Sequence, residues 1–181
     1  MKLLDTIILN LDQIHIDKIN QIDAFDFSRT AKKANHDAHG LTEQYLLDGI
    51  ENLKRYYVVA LLDPLNEHAV SRYVDPFWHA HILHTKEYIM FCDTIFKQYI
   101  HHQPLDFGNP DEVREIAMLY DYTKNIYQKI FSSINSQWWP DVSQAGFGHT
   151  IGPVVCRHML IHDESIRNKA LFSRANLLQV A

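Results

Sequence analysis

A chain of 181 residues with 46% hydrophobic content can bury a proper core and is the size of one domain, here residues 1–181. A formal charge of -5 gives no electrostatic reason to expect a nucleic acid or an anionic membrane as partner, because phosphate binding needs a basic surface. Lys2 is followed too soon by Asp5 and Asp12 for a secretory leader, and no apolar window is long enough to span a bilayer, so a cytoplasmic protein is expected. Cys92 and Cys156 are expected as free thiols in a reducing compartment. Histidine is the outlier, at 12 residues, and that excess asks for a reason.

In chain order, Leu4, Ile7, Ile8, Leu11, Ile14 and Ile19 predict a helix or helix pair within Leu3 to Phe27. His36 and His39, in a polar stretch before the stop at Gly40, read as surface residues. Thr42 then caps a helix whose Leu46, Ile50, Leu53, Tyr57 and Leu61 recur at helical spacing until Asp63-Pro64 ends it. Leu65 to Tyr73 connect it to the next element. Asp75-Pro76 is a strong helix start, with proline at the first helical position, and Gln103-Pro104 closes that helix. Asn109-Pro110-Asp111 opens another, buried through Val113, Ile116, Tyr120, Tyr127, Ile130, Phe131 and Ile134. Trp138 and Trp139 read as caps on the core before a glycine-containing loop, Ala145 to Gly152. A last helix is expected through Val155, Met159, Ile166 and Leu171. With no clear strand alternation and no repeat, the chain reads as an all-α, single-domain bundle of about five to seven helices.

The chemistry is concentrated between Val74 and Pro104. On a regular helix, Trp78, Ile82, Ile89, Phe96 and Ile100 form the apolar stripe. His81, His84, Tyr88, Cys92 and Tyr99 form a second stripe of groups that coordinate, titrate or hydrogen-bond. His79 points away from His81 and His84, so a site using His79 must draw on Asp75, one turn earlier, or on other parts of the fold. A regular helix would hold His81 and His101 about 30 Å apart, too far to share an ion unless the helix breaks. At its exit, one ring of the His101-His102 pair can face inward while the other faces solvent.

Two function classes follow. In the first, His79 and His81, with His84, His101 or His102, hold a divalent metal such as zinc or iron, or a small polar ligand. Asp75, Tyr88 and Cys92 are the accompanying ligand-contacting candidates, with Asp75 orienting the His79 ring. An open coordination position would make such a site a candidate enzyme of unknown substrate. In the second, the same residues form a buried hydrogen-bond network in a scaffold or protein-interaction module. Cys92 as a nucleophile is disfavoured, because neither histidine of its stripe sits one turn away to generate thiolate. Cys156, His158 and His162, with His149, are a further group that either joins such a site or decorates a solvated helix face. Hydrolase elbows, phosphate loops, H-E-x-x-H and dinucleotide fingerprints are absent.

The central segment resembles an uncharacterised family similar to the N-terminal region of plant glycine-rich-domain proteins. The pattern is V-D-x-x-W-H-x-H-I-L-x-T-x-x-Y, then C and H-H-x-P, carried here by Val74-Asp75, Trp78-His79, His81-Ile82-Leu83, Thr85, Tyr88, Cys92, His101-His102 and Pro104. Lys97 stands where relatives often have glycine. The resemblance implies a helical domain and names no reaction.

Overall fold

The computed structural model describes residues 2–106 and 108–141, and residues 154–158 by their backbone. Among them are six α-helices: α1 Gln13–Ala24, α2 Ser28–Asp37, α3 Glu43–Leu62, α4 Asp75–Leu83, α5 Thr85–Phe96 and α6 Pro110–Phe131. The helical architecture expected from the sequence is therefore present, and the number of helices lies within the expected range. A 3-10 turn, Leu3–Thr6, precedes α1. Two caps act where the sequence places them, whereas α4 starts at Asp75 itself, with Val74 at the cap position and no side-chain cap bond. The Thr42 hydroxyl accepts from the Tyr45 amide at 3.2 Å, and Asn109 Oδ1 accepts from the Asp111 and Glu112 amides at 3.1 and 3.4 Å, satisfying orphan donors of α3 and α6.

Three short strands were not anticipated. β1 His68–Ser71, β2 His102–Pro104 and β3 Val154–His158 form an antiparallel sheet in the order β1-β3-β2. His158 is paired in register with His68 on one side and His102 on the other. The helix expected through Val155 is thus corrected at its start, where the backbone is a strand; His149, His162 and the remaining residues of that helix lie outside the described residues. Strands of three to five residues are too short to show alternation. β1 is moreover buried at every position, so it carries no polar face to read.

The single helix expected from Pro76 to the His101-His102 pair is also corrected. It breaks at His84 (φ -84°, ψ 60°), which ends α4 and starts α5, and again at Lys97, in the left-handed region at φ 60°. The first break is pinned by α2: His84 Nε2 donates to the Arg29 carbonyl at 3.2 Å, while the Arg29 guanidinium pairs with Glu87. Past the break, α5 turns Tyr88, Phe91, Cys92 and Ile95 into the core. Ile89, expected to be buried, is instead 54% exposed.

One hydrophobic cluster runs from Leu3 to Trp139, with α3 buried almost without interruption from Leu53 to Leu62. Trp138 and Trp139 cap it as expected, at 2% and 1% exposure. α3 and α4 approach closely at Gly49, where a Cβ would lie 2.1 Å from Phe77 Cζ. Phe77 is itself buried and packs on Trp138, so its ring has nowhere to retreat. Gly49→Ala is therefore expected to destabilise the protein by about 1–3 kcal/mol through overpacking, read as a lower denaturant midpoint with an unchanged slope.

Candidate metal centre

α4 presents opposite sides to opposite environments. The four-residue spacing of Asp75 and His79 puts both on its outer side, with His79 Nδ1 2.9 Å from Asp75 Oδ2. The other carboxylate oxygen, Oδ1, lies 3.3 Å from Nε2 of His102 on β2. The two imidazoles lie against each other at a tilt of 52°, their centroids 4.2 Å apart, and Trp78 stands edge-on to His102 at 4.8 Å. Asp75 is buried, the His102 side chain is 10% exposed and the His79 side chain 48% exposed, so the cluster has a closed back and one open edge.

One ligand atom from each of Asp75, His79 and His102 lies within 4.8 Å of the others. An ion making bonds of about 2.0–2.2 Å would need only to draw them inward. The donor set suits one as well: a carboxylate and two imidazoles are ligands for zinc or iron(II). The hydrogen bond that His79 donates to Asp75 holds the pKa of His79 above its ordinary value, against the opposing effect of burial. A ring oriented by a carboxylate in this way is a stronger base and a better ligand.

The remaining histidines of the segment do not join this cluster. His101 is exposed, its ring 4.8 Å from that of Tyr99; the adjacent pair thus splits as its position in an extended exit requires. His84 is occupied at the α4–α5 break. His81, on the inner side of α4, is fully buried among Phe25, Phe27, Tyr57, Tyr88 and Phe91, with ring centroids 5.1–5.8 Å away. Burial, with a smaller contribution from His84, pushes its pKa down to about 3. Tyr57 Oη sits 2.8 Å from His81 Nδ1. Burial pushes the Tyr57 phenol well above its ordinary pKa, so the phenol keeps its proton and donates it to Nδ1. The His81 proton then resides on Nε2, which is buried without a hydrogen-bond partner among the described residues and faces an aromatic box, where a weak N–H···π contact is what the surroundings offer.

Tyr88 and Cys92 are core residues. The Tyr88 hydroxyl accepts from Trp78 Nε1 at 3.2 Å and donates to the Ile100 carbonyl at 2.7 Å. Burial pushes the Cys92 thiol up to about 11, which leaves it a poor thiolate.

A second histidine array was not singled out in the sequence. Asp63 and His68, both fully buried, pair at 3.1 Å. Tyr122 and Asn66 donate to the same carboxylate at 2.6 and 2.7 Å, and His68 Nδ1 lies 3.3 Å from Thr123 Oγ1. The Thr123 hydroxyl donates to the Leu119 carbonyl and accepts from the Ala69 amide. That hydroxyl is therefore committed to the backbone, and the array knots β1 to α6. Asp63, Asn66 and His68 are close in sequence, but Tyr122 and Thr123 come from α6 more than fifty residues on, so no sequence pattern announces the array.

The model of the UCP032817-like family matches residues 17–117, more than half of the chain, and the chain belongs to that family. The matched span holds Asp75, His79 and His102. No curated protein and no solved structure matches the chain. Among the described residues no helix is long and apolar enough to cross a membrane.

The buried, neutral His81 has a consequence for stability. Its pKa is about 3 folded against an ordinary 6.5, so the unfolded chain takes up a proton that the folded chain refuses. Stability from this residue is full above pH 6.5 and falls as pH drops toward 3, by about 1.4 kcal/mol per unit within that window. His81→Phe is expected to flatten this part of the curve in denaturant titrations run between pH 4 and 7, after subtraction of the wild-type profile.

Proposed function

We propose that this member of the family binds a divalent transition metal, zinc or iron, through Asp75, His79 and His102. The observation that carries the reading is the convergence of a buried carboxylate and two imidazoles from α4 and β2, with ligand atoms inside 4.8 Å and one edge open to solvent. The D-x-x-W-H and H-H-x-P elements of the glycine-rich-domain resemblance supply these three residues, so we extend the same site to relatives that carry that motif. Three protein ligands leave room for water or a small polar ligand, and a bound cation would lower the pKa of that water and polarise an anionic or carbonyl group. The Asp75 carboxylate would hold the His79 ring and offset the charge of the ion. The functional setting is a cytoplasmic domain acting on a small molecule or a protein, with no part for nucleic acid or membrane.

A scaffold reading is favoured by a different observation: the hydrogen bonds from His79 and His102 already satisfy Asp75, as the Asp63–His68 array is satisfied without any ion. The two readings separate cleanly. Untagged protein purified without chelator or a metal column is expected to carry near-stoichiometric metal by inductively coupled plasma mass spectrometry. His79→Ala and Asp75→Asn are expected to lose it, while His81→Gln keeps it. Chelator is expected to lower the melting temperature of the wild type and not that of His79→Ala. Protein that is metal-free, takes up no added zinc or iron and melts unchanged with chelator would make the cluster architectural.

A further inference from the structure

α2 and the first half of α3 enclose a trough of about 670 Å³. α2 is fastened on its other side to the α4–α5 break, where the carbonyl and the guanidinium of Arg29 are both engaged. The floor of the trough is apolar, made by Phe25, Phe27, Ala31, Leu46 and Ile50, with Leu47 on the lip at 59% exposure. Both ends are fixed. The Asn35 side chain accepts from the Leu41 amide at 2.6 Å beside the α2–α3 turn, and Lys54 donates to the Asp23 carbonyl at 2.8 Å at the far end. Phe25 and Phe27 also wall the box around His81, so the floor is part of the core. The trough is thus formed in advance, which spares a ligand the cost of ordering it. Along α3 its lining runs from Glu43 to Lys54, a length of about 16 Å or three helical turns.

The rim is acidic once its internal pairs are set aside. Glu51 pairs with Arg55 and Lys54 with Asp23, each at 3.0 Å, and Lys32 stands near Asp26. Glu43 and Asp48 are left without a cation among the described residues, Asp48 being met by the neutral amide of Gln44 at 2.8 Å. We propose that the trough binds an amphipathic helix of a partner protein, its apolar stripe on the floor and its lysines or arginines against Glu43 and Asp48. Apolar anchors at i, i+3, i+4 and i+7 flanked by bases complement a trough of this length and charge, the helix-in-groove mode of recognition. None of the lining residues belongs to the Asp75 cluster, so the inference stands apart from the metal reading.

The test uses the full chain and two fluorescent helical peptides that share one leucine stripe and carry lysine in one case and glutamate in the other on its flanks. In anisotropy titrations the lysine peptide is expected to bind more tightly than the glutamate peptide by about tenfold, and to weaken as salt rises. Glu43→Gln with Asp48→Asn is expected to weaken it about three- to tenfold, the worth of two partly exposed ion pairs. Asp93→Asn with Asp121→Asn removes as much charge from exposed positions elsewhere and is expected to leave the affinity unchanged. Leu47→Ser is expected to cost about tenfold through lost apolar burial, and Ala31→Trp, which fills the trough, to abolish binding. A lysine peptide that does not bind, equal binding of the two peptides, or equal weakening by the two charge-removing pairs overturns the proposal. Binding untouched by Leu47→Ser overturns it as well, and so does a dimer in solution that Leu47→Ser dissolves, which would give the trough to a second copy of the chain. Leu47 is exposed, so its variant decides the matter even if Ala31→Trp does not fold.

Discussion

Burial of the Asp75 carboxylate is the constraint around which the central part of the chain is arranged. An ionised carboxylate removed from water is costly unless paired and hydrogen-bonded, and Asp75 is 5% exposed. His79 is supplied by the same helix. His102 lies 27 residues further on, so the chain after α4 has to leave and come back. α5 carries it out over about 18 Å, and the left-handed Lys97 turns it round so that β2 arrives beside α4. The left-handed conformation costs a non-glycine residue about 1–2 kcal/mol, and the contacts made by the returning segment offset it.

Trp78 holds that return in place. Its indole N–H donates to Tyr88 on α5, and Tyr88 in turn donates to the carbonyl of Ile100, just ahead of β2. The Trp78 ring packs against both Tyr56 of α3 and His102. One relay thus joins α3, α4, α5 and the approach to β2, and the His102 imidazole is positioned by packing as well as by its bond to Asp75. Buried relays in which each donor has an acceptor specify one arrangement strongly, because any other leaves a polar group unpaired.

The parts of the fold that were legible in the sequence are those written locally. Thr42 and Asn109 announce their helices, the Asp63-Pro64 pair ends α3, and the four-residue spacing of Asp75 and His79 puts them side by side. The parts that were not legible depend on distant partners. Neither glycine nor proline marks the break at His84; it is stabilised from α2, by a carbonyl and a guanidinium of Arg29. Lys97 gives no intrinsic turn signal. The return of His102, on which the cluster depends, follows from those two breaks, and a helical wheel drawn through them misassigns Ile89. The sheet escaped for a related reason: its strands are short, and β1 is buried on both faces, so no alternation marks it.

The W-H-x-H segment shows how one helix gives two imidazoles opposite properties. Two residues apart on α4, His79 and His81 are rotated about 200° from each other, and their surroundings share nothing. His79 meets a carboxylate and solvent, which raises its affinity for a proton and equally for a cation. His81 meets a phenol and four other aromatic rings, which suppress the charged form and leave it a neutral packing element. A metal needs a basic nitrogen with a path to solvent, and only the outer histidine has both. The inner one contributes by filling the aromatic core beneath α4, so that the outer face, with Asp75 and His79, is presented on a helix that cannot roll without parting Asp75 from His102 or exposing that core.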